Sequence, residues 1–258
     1  MGLGGALIAF EYCGEEANLI GVGGAYAFTH SHEEGGAGRA NLNQGYLTAY
    51  GTVARDNWYL DLALWGGYYS ANNRRRISFP GVDETARSRI QGWQIAPHIE
   101  AGYCGFKWKK CHADWFNSDA FVMGDFVVNS EGSFKERGAN EFDMGQKKRS
   151  CSFFRGETGL RFYEVLECNW GSLVLKEKGS YAYQKAFQTG IITAYLLGSP
   201  GSFTVATLTG AQNLGVAEFS TLFIPTGSKA PYVDIRYQGE FGSRYQSHQG
   251  MVEMGKDF

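Results

Sequence analysis

Apolar and polar residues alternate one by one along most of the chain, and the alternation is clearest near its C-terminal end. Val233, Ile235, Tyr237, Gly239, Phe241 and Tyr245 fall on one side, and Asp234, Arg236, Gln238, Glu240, Gly242, Arg244 and Gln246 on the other. A period of two is the signature of a β-strand with unlike faces. The spacing predicts a turn at Ser247 and His248, after which Val252, Met254 and Phe258 resume one face against Met251, Glu253, Gly255 and Asp257. An apolar face set against a charged one, over ten or so residues, is what a strand needs to separate hydrocarbon from a polar lumen. Val233, Ile235, Tyr237, Phe241 and Tyr245 are therefore expected to face lipid.

The rest of the chain repeats the pattern. Ala6, Ile8, Phe10 and Tyr12 form one face of a first strand, and Ile20, Val22, Tyr26 and Phe28 of a second. Around Tyr46–Val53 the alternation leaves open whether Tyr46, Thr48 and Tyr50 or Leu47, Ala49 and Val53 point outward. Outward stripes follow at Trp58, Leu60, Leu62, Leu64 and Tyr68, then at Trp93, Ile95, Ile99, Ala101 and Tyr103, and then at Ala120, Val122, Gly124, Phe126 and Val128. Further on, Phe154, Leu160 and Phe162 oppose Arg155, Glu157 and Arg161, while Leu173, Leu175, Tyr181 and Tyr183 oppose Lys176, Lys178 and Ser180, with Glu177 on the apolar side. Leu214–Ile224 precedes the two strands already described. The count is eleven.

The connections read as mostly short and long in turn. Polar or glycine-bearing loops are expected at His30–Arg39, over about sixteen residues containing Arg74, Arg75, Arg76, Pro80 and Asp83, at Ser130–Arg149 and at Gln188–Gly210. Membrane barrels have short periplasmic turns and longer outer loops, so loop length sets the chain direction and puts Phe258 at the periplasmic rim. The fold class expected is an all-β, antiparallel, up-and-down transmembrane barrel. Single-chain bacterial barrels have even strand numbers, and an open edge in lipid leaves unpaired backbone groups, so a first strand upstream of Met1 is expected.

Composition changes this picture little. The 36 glycines and the 15% share of aromatics, beside only 5 prolines, suit strands. A formal charge of −2 provides no basic field for nucleic acid. No apolar run approaches the roughly 20 residues of a membrane helix, and mean hydropathy is −0.29. The opening Met1-Gly2-Leu3-Gly4-Gly5 lacks the features of a secretory signal. Cys13, Cys104, Cys111, Cys151 and Cys168 match no paired zinc spacing, and an odd number leaves one thiol over.

Three stretches resemble the C-terminal translocator domain of autotransporters. They are Gly5-Ala6-Leu7-Ile8-Ala9-Phe10-Glu11-Tyr12, Phe134-Lys135-Glu136-Arg137-Gly138-Ala139-Asn140, and the segment from Tyr237 to His248 followed by a final strand ending in Phe258. The resemblance covers essentially the whole chain from the family's second strand onward. It implies a twelve-stranded barrel in the bacterial outer membrane, with a lumenal helix and a secreted passenger ahead of the first strand, and type V secretion without nucleotide or cofactor. Its partners would be outer-membrane lipid and lipopolysaccharide, the barrel assembly machinery, and an upstream passenger. Val252, Met254 and Phe258 would form the C-terminal assembly signal, although Lys256 stands where an apolar or aromatic residue is usual. The cysteines give a weaker resemblance to the polymorphic outer-membrane proteins of chlamydia-like bacteria, which suggests a Cys104–Cys111 bridge or cross-links to neighbours.

Candidate chemistry is otherwise sparse. Glu100, Asp125, Arg155, Glu157, Arg161, Asp234, Arg236, Glu240 and Arg244 are expected to face the lumen, where they wet it and pair, or also guide a passenger. His30-Ser31-His32-Glu33-Glu34 reads as a solvated loop before a metal site, and Gly21-Val22-Gly23-Gly24 lies inside a strand and opens no helix. Arg74-Arg75-Arg76 reads as a solvated loop, with lipopolysaccharide phosphate as the alternative. No catalytic triad or carboxylate pair stands in a motif, so no enzyme is expected. A plain pore, an adhesin-like barrel or a truncated remnant are the rivals, with a soluble ligand-binding barrel or a lipid-degrading barrel enzyme behind them.

Overall fold

A computed structural model describes residues 2–14, 18–32, 37–110, 113–187, 191–198, 201–206, 210–226, 231–243 and 245–255. The strands are β1 Gly2–Cys13, β2 Leu19–His32, β3 Gly38–Arg55, β4 Trp58–Phe79, β5 Val82–Lys110, β6 Ala113–Glu131, β7 Phe134–Lys135, β8 Met144–Gln146, β9 Arg149–Cys168, β10 Gly171–Ala186, β11 Ile191–Leu196, β12 Ser202–Ala206, β13 Gln212–Pro225, β14 Tyr232–Gly242 and β15 Gln246–Gly255. Eleven of them form one antiparallel sheet in the order β1-β2-β3-β4-β5-β6-β9-β10-β13-β14-β15. Every neighbour in that sheet is the next long strand in the chain, as an up-and-down meander requires. Among the described residues β1 and β15 each pair on one side only.

The remaining strands correct the loop expectations. The segments expected as loops at Ser130–Arg149 and Gln188–Gly210 contribute β7, β8, β11 and β12, which pair as a second sheet in the order β12-β11-β8-β7. These strands are short, and their pairing joins residues as distant as Gln146 and Ala194. No local alternation announces them. The expected sixteen-residue loop is instead a long hairpin, β4 continuing to Phe79 and β5 starting at Val82, with Gly81 at φ +86° closing the turn. Likewise β2 reaches His32 and β3 begins at Gly38. Beyond the membrane a strand needs no apolar face, so its polar residues look like loop. The final turn also moves. The Gly242 amide donates to the Tyr245 carbonyl at 2.8 Å just ahead of β15, and Ser247 and His248 belong to β15. Residues 105–110 and 113–117 belong to β5 and β6, with register shifts between Cys104 and Phe106 and between Trp108 and Lys110.

The open question at Tyr46–Val53 resolves cleanly. Leu47 and Val53 are exposed on the outer face, and Tyr46, Thr48 and Tyr50 turn inward. Their position explains part of the glycine content. Tyr46, Tyr50, Tyr59 and Tyr69 stand directly across the ladder from Gly67, Gly21, Gly102 and Gly92. A Cβ on any of these glycines would strike the facing tyrosine ring. Each ring lies over its glycine, and the bare backbone makes room for a bulky residue on the crowded inner face of a curved sheet.

Candidate functional site

The charged side chains concentrate on the inner face of the large sheet and join two networks. In the first, Glu100 on β5 accepts both Arg161 guanidinium nitrogens from β9, at 2.5 and 2.8 Å, and the Tyr59 hydroxyl from β4 at 2.7 Å. Arg161 also donates to the Tyr59 oxygen at 2.9 Å and lies 4.1 Å over the Phe121 ring of β6. Forked pairing of this kind fixes direction as well as distance. Beside it, His98 Nδ1 lies 2.7 Å from Asp125.

The second network centres on Glu157, which is 3% exposed. Arg155 reaches it at 2.9 Å, Lys178 at 3.1 Å, and the Ser180 hydroxyl donates at 2.7 Å. Lys178 bridges on to Glu218 at 3.2 Å, and Arg236 pairs with Asp234 at 3.0 Å and lies 3.6 Å from Glu218. Arg155 also meets Glu240 at 2.9 Å. Lys178 lies 5.9 Å from the Phe121 ring, so that ring sits between the two networks. Buried charges are tolerated only when paired and hydrogen-bonded, and here both carboxylate oxygens of Glu100, Glu157 and Asp234 have partners, while one oxygen of Asp61, opposite Glu100, is buried without one among the described residues. The networks hold the inner faces of β4, β5, β6, β9, β10, β13 and β14 in fixed relation.

The structure thus brings together Glu100 with Arg161, and Arg155 with Glu157 and Glu240, and it places Asp234 beside Arg236. Asp125 stands apart with His98, and Arg244 lies outside the described residues. Sequence reasoning missed Tyr59, Phe121, Lys178 and Glu218 as members. Strand parity places all four on the inner face, but an aromatic or a lone lysine there gives no charge-pairing signal of its own, and Glu218 meets its cations, Lys178 and Arg236, only from the neighbouring strands.

The outer face is apolar. Ile235 is 57% exposed, and Tyr237, Phe241 and Tyr245 are exposed beside it, while Val233 is half-buried. Val252 and Met254 lie opposite Ile235 and Val233 and are also exposed, and Phe258 lies outside the described residues. Exposed large apolar side chains on nearly every long strand form a continuous band, far more than a solvated monomer leaves uncovered. An apolar outside wrapped around a charged inside is the arrangement a membrane barrel needs.

Cys13 and Cys168 end β1 and β9 beside short turns, and Cys104 carries a free thiol near the turn at Asp56 and Asn57. Cys111 lies outside the described residues, and with it the expected Cys104–Cys111 bridge. His30 and His32 approach at 2.5 Å between their Nε2 atoms. Among the described residues no three His, Cys, Asp or Glu side chains gather as a metal site, and Glu33 and Glu34 lie outside them. Among the described residues no helix is long and apolar enough to cross a membrane, which leaves crossing by strands open.

Comparison with known proteins agrees with this architecture. The autotransporter beta-domain family matches residues 1–228. The chain belongs to that family. The translocator domain of the autotransporter NalP from Neisseria meningitidis superposes with a TM-score of 0.72 at 15% identity, over 99% of this chain and 81% of that one. The beta domain of the Bordetella autotransporter BrkA gives a TM-score of 0.56 at 15% identity, over 98% and 89%. At that identity the two structures speak for the fold. No curated protein matches the sequence. As an autotransporter beta-domain the chain is an all-β barrel domain of the bacterial outer membrane, and it has its charged networks inside.

Proposed function

We propose that this beta-domain is the translocator of a type V secreted protein, exporting or anchoring at the cell surface a passenger encoded ahead of it. The observation that carries the reading is the pairing of two faces on the same strands: exposed apolar residues outside and a largely paired charge network inside. A lumen lined by paired charges lets an extended polypeptide pass, because the wall has few unmet hydrogen-bonding groups to trap it. Transport, with no enzymatic step, is the function assigned. One further strand between the edges of β1 and β15 would complete the ring and remove the cost of unpaired backbone in lipid, and an inner helix before it is what the autotransporter resemblance implies. Val252, Met254 and Phe258 would present the C-terminal segment to the assembly machinery. Lipopolysaccharide is the proposed outer-leaflet partner, and a thiol bridge at Cys104 and Cys111 would close the periplasmic turn.

The test is to express the gene with the coding sequence ahead of Met1, carrying an epitope at its N-terminal end, in a Gram-negative host. Digestion of the epitope by protease added to intact cells is the expected result. An epitope held inside cells whose barrel is folded and heat-modifiable would overturn export, and non-reducing mass analysis with five free thiols would remove the bridge.

A further inference from the structure

Outside the lumen, the molecule concentrates charge in one other place. Arg39 on β3, Arg74 on β4 and Arg87 on β5 stand directly opposite one another in the ladder, and Arg137 continues the row. The last step is close, since the Arg87 and Arg137 backbones exchange both hydrogen bonds at 2.9 Å. All four side chains are exposed, and by strand parity Arg39, Arg74 and Arg87 share the outer face with Leu47, Tyr68 and Trp93. Arg89 and Lys135 flank the row, and all six line one trough of about 1050 Å³.

Like charges directly opposite on a sheet repel, so a solvated face ordinarily interleaves signs. This hairpin does so nearby. Arg75, on the inner face, is paired with Glu136 at 2.6 Å, and Arg76, one outward position beyond Arg74, is forked to Asp83 at 2.8 Å. The trough itself is lined by no carboxylate among the described residues, and Arg39, Arg74, Arg87, Lys135 and Arg137 make no ion pair there. Glu33 and Glu34, the acids nearest Arg39 in sequence, lie outside those residues. The row spans about 14 Å, three strand spacings.

Its height defines the ligand. On β4 and β5 the apolar stripe ends at Tyr68 and Trp93, directly paired aromatics of the kind that mark a membrane interface. Beyond them come Ser70 and Gln91, then Asn72 and Arg89, then Arg74 and Arg87. Arg74 is six residues past Tyr68, roughly 15 Å higher for a strand tilted near 40°. A long arginine reaches back toward the interface from there. This is the layer in which outer-leaflet lipid phosphates lie.

We propose that the Arg39–Arg74–Arg87–Arg137 row, with Arg89 and Lys135, binds the phosphates of an outer-leaflet glycolipid whose sugar head carries more than one phosphate. Guanidinium forks match phosphate oxygens two at a time, and a multiply charged head neutralises several of the opposed cations together. The assignment rests on the outer-membrane reading above and names the surface that meets the lipid.

The test uses the folded chain in detergent micelles, with a diphosphorylated acylated disaccharide lipid and the same lipid dephosphorylated as probes, and binding read by native mass spectrometry. Insertion of the same samples into vesicles is scored separately. Arg74→Gln with Arg87→Gln is compared with the wild type and with Arg55→Gln, which removes an exposed cation at the opposite end of β3. The expected result is a loss of affinity for the diphosphorylated lipid on the order of tenfold in the double variant only. High salt should also lower the affinity. Without phosphorylated lipid the double variant should be at least as stable to urea as the wild type, because repulsion is relieved. Equal binding of the two lipids, or of wild type and double variant, in samples that insert normally would overturn the glycolipid site and leave the barrel reading standing. Complete competition by inorganic phosphate, or by polyglutamate, at the lipid's own concentration would overturn the glycolipid as ligand. Phosphate-dependent binding by a chain that fails to insert would support the site and overturn the membrane reading.

Discussion

Arg155 and Glu240 meet at 2.9 Å although three strand spacings separate β9 from β14 and the two residues are out of step in the ladder. Traced through the register, Glu240 faces Val216, Val216 faces Ser180, and Ser180 faces Gly159, four positions from Arg155. In a flat sheet that offset is about 13 Å along the strand and 14 Å across it. The pair closes because the sheet curls and the strands lean. The ratio of the two offsets gives a tilt near 40°, the value a barrel wall requires. Glu100 and Arg161 show the same stagger in the same sense. The salt bridges therefore run around the barrel along its circumference, and the backbone ladder runs oblique to them.

The arrangement makes the cost of losing Arg155 calculable. Arg155→Ala leaves Glu157 with Lys178 and Ser180 but takes the cation from Glu240. Orphaning a buried charge costs about 3–5 kcal/mol, and the surviving partners reduce this to roughly 2–3 kcal/mol. Urea unfolding in lipid vesicles, followed by tryptophan fluorescence, should show it. Adding Glu240→Gln to Arg155→Ala should recover part of the loss, and strict additivity would mean that the pair contributes nothing.

Gly102 tests the tyrosine–glycine pairs. Gly102→Val puts a branched side chain into the ring of Tyr59, which must leave Glu100 and Arg161. Overpacking of this kind costs about 1–3 kcal/mol. The expected phenotype is a lower temperature for the gel-mobility shift of the folded barrel. Combined with Tyr59→Ala, the valine should add almost nothing, since the ring it strikes is gone. A valine equally harmful in both backgrounds would place the strain elsewhere in β5.

Strand parity made the eleven-stranded sheet readable, because a bilayer on one side and water on the other impose opposite demands on successive residues. The same rule failed where that asymmetry ends. Past Tyr68 and Trp93 both faces are wet, so β4 and β5 run on as a hairpin whose arginines and serines resemble a loop. The strands β7, β8, β11 and β12 depend on pairing across tens of residues, and the buried Glu136 meets its cation, Arg75, from another element. For the lumen, parity sorted Glu100 and Arg161 onto one face, but which residue meets which depends on curl and stagger.

The hairpin tip offers a pH test outside the membrane. Hydrogen bonds from the Arg76 guanidinium hold the Asp83 carboxyl below its ordinary value, against an opposing desolvation and with the attraction of the Arg76 charge beside them. A carboxylate depressed in the folded state stabilises above its unfolded value, near 4, and that contribution is lost as pH falls through the lower folded value. Protection of the Arg76 and Asp83 amides, relative to their intrinsic exchange rates, should therefore fall below about pH 4. Asp83→Asn should exchange faster at pH 7 and show no such step. An acid response unchanged by Asp83→Asn would assign it to another group.

Glu177 is the residue that most clearly violates the outer face. It is exposed between Phe162 on β9 and Phe219 on β13, directly opposite both, and no ion pair among the described residues neutralises it. Six residues into β10, with a rise of 3.3 Å per residue and a tilt near 40°, it lies roughly 15 Å from the short-turn end, within an apolar band about 25 Å tall. A lipid-facing charge costs about 2–4 kcal/mol for a cation at the midplane and less for a carboxylate, which sheds its charge more easily. Glu177→Leu should thus stabilise the barrel against urea by roughly 1–2 kcal/mol in vesicles, with little effect in detergent, where water reaches the side chain. Glu177→Gln should recover about half of that gain. Destabilisation by both variants would mean that Glu177 has a polar partner in the assembled barrel.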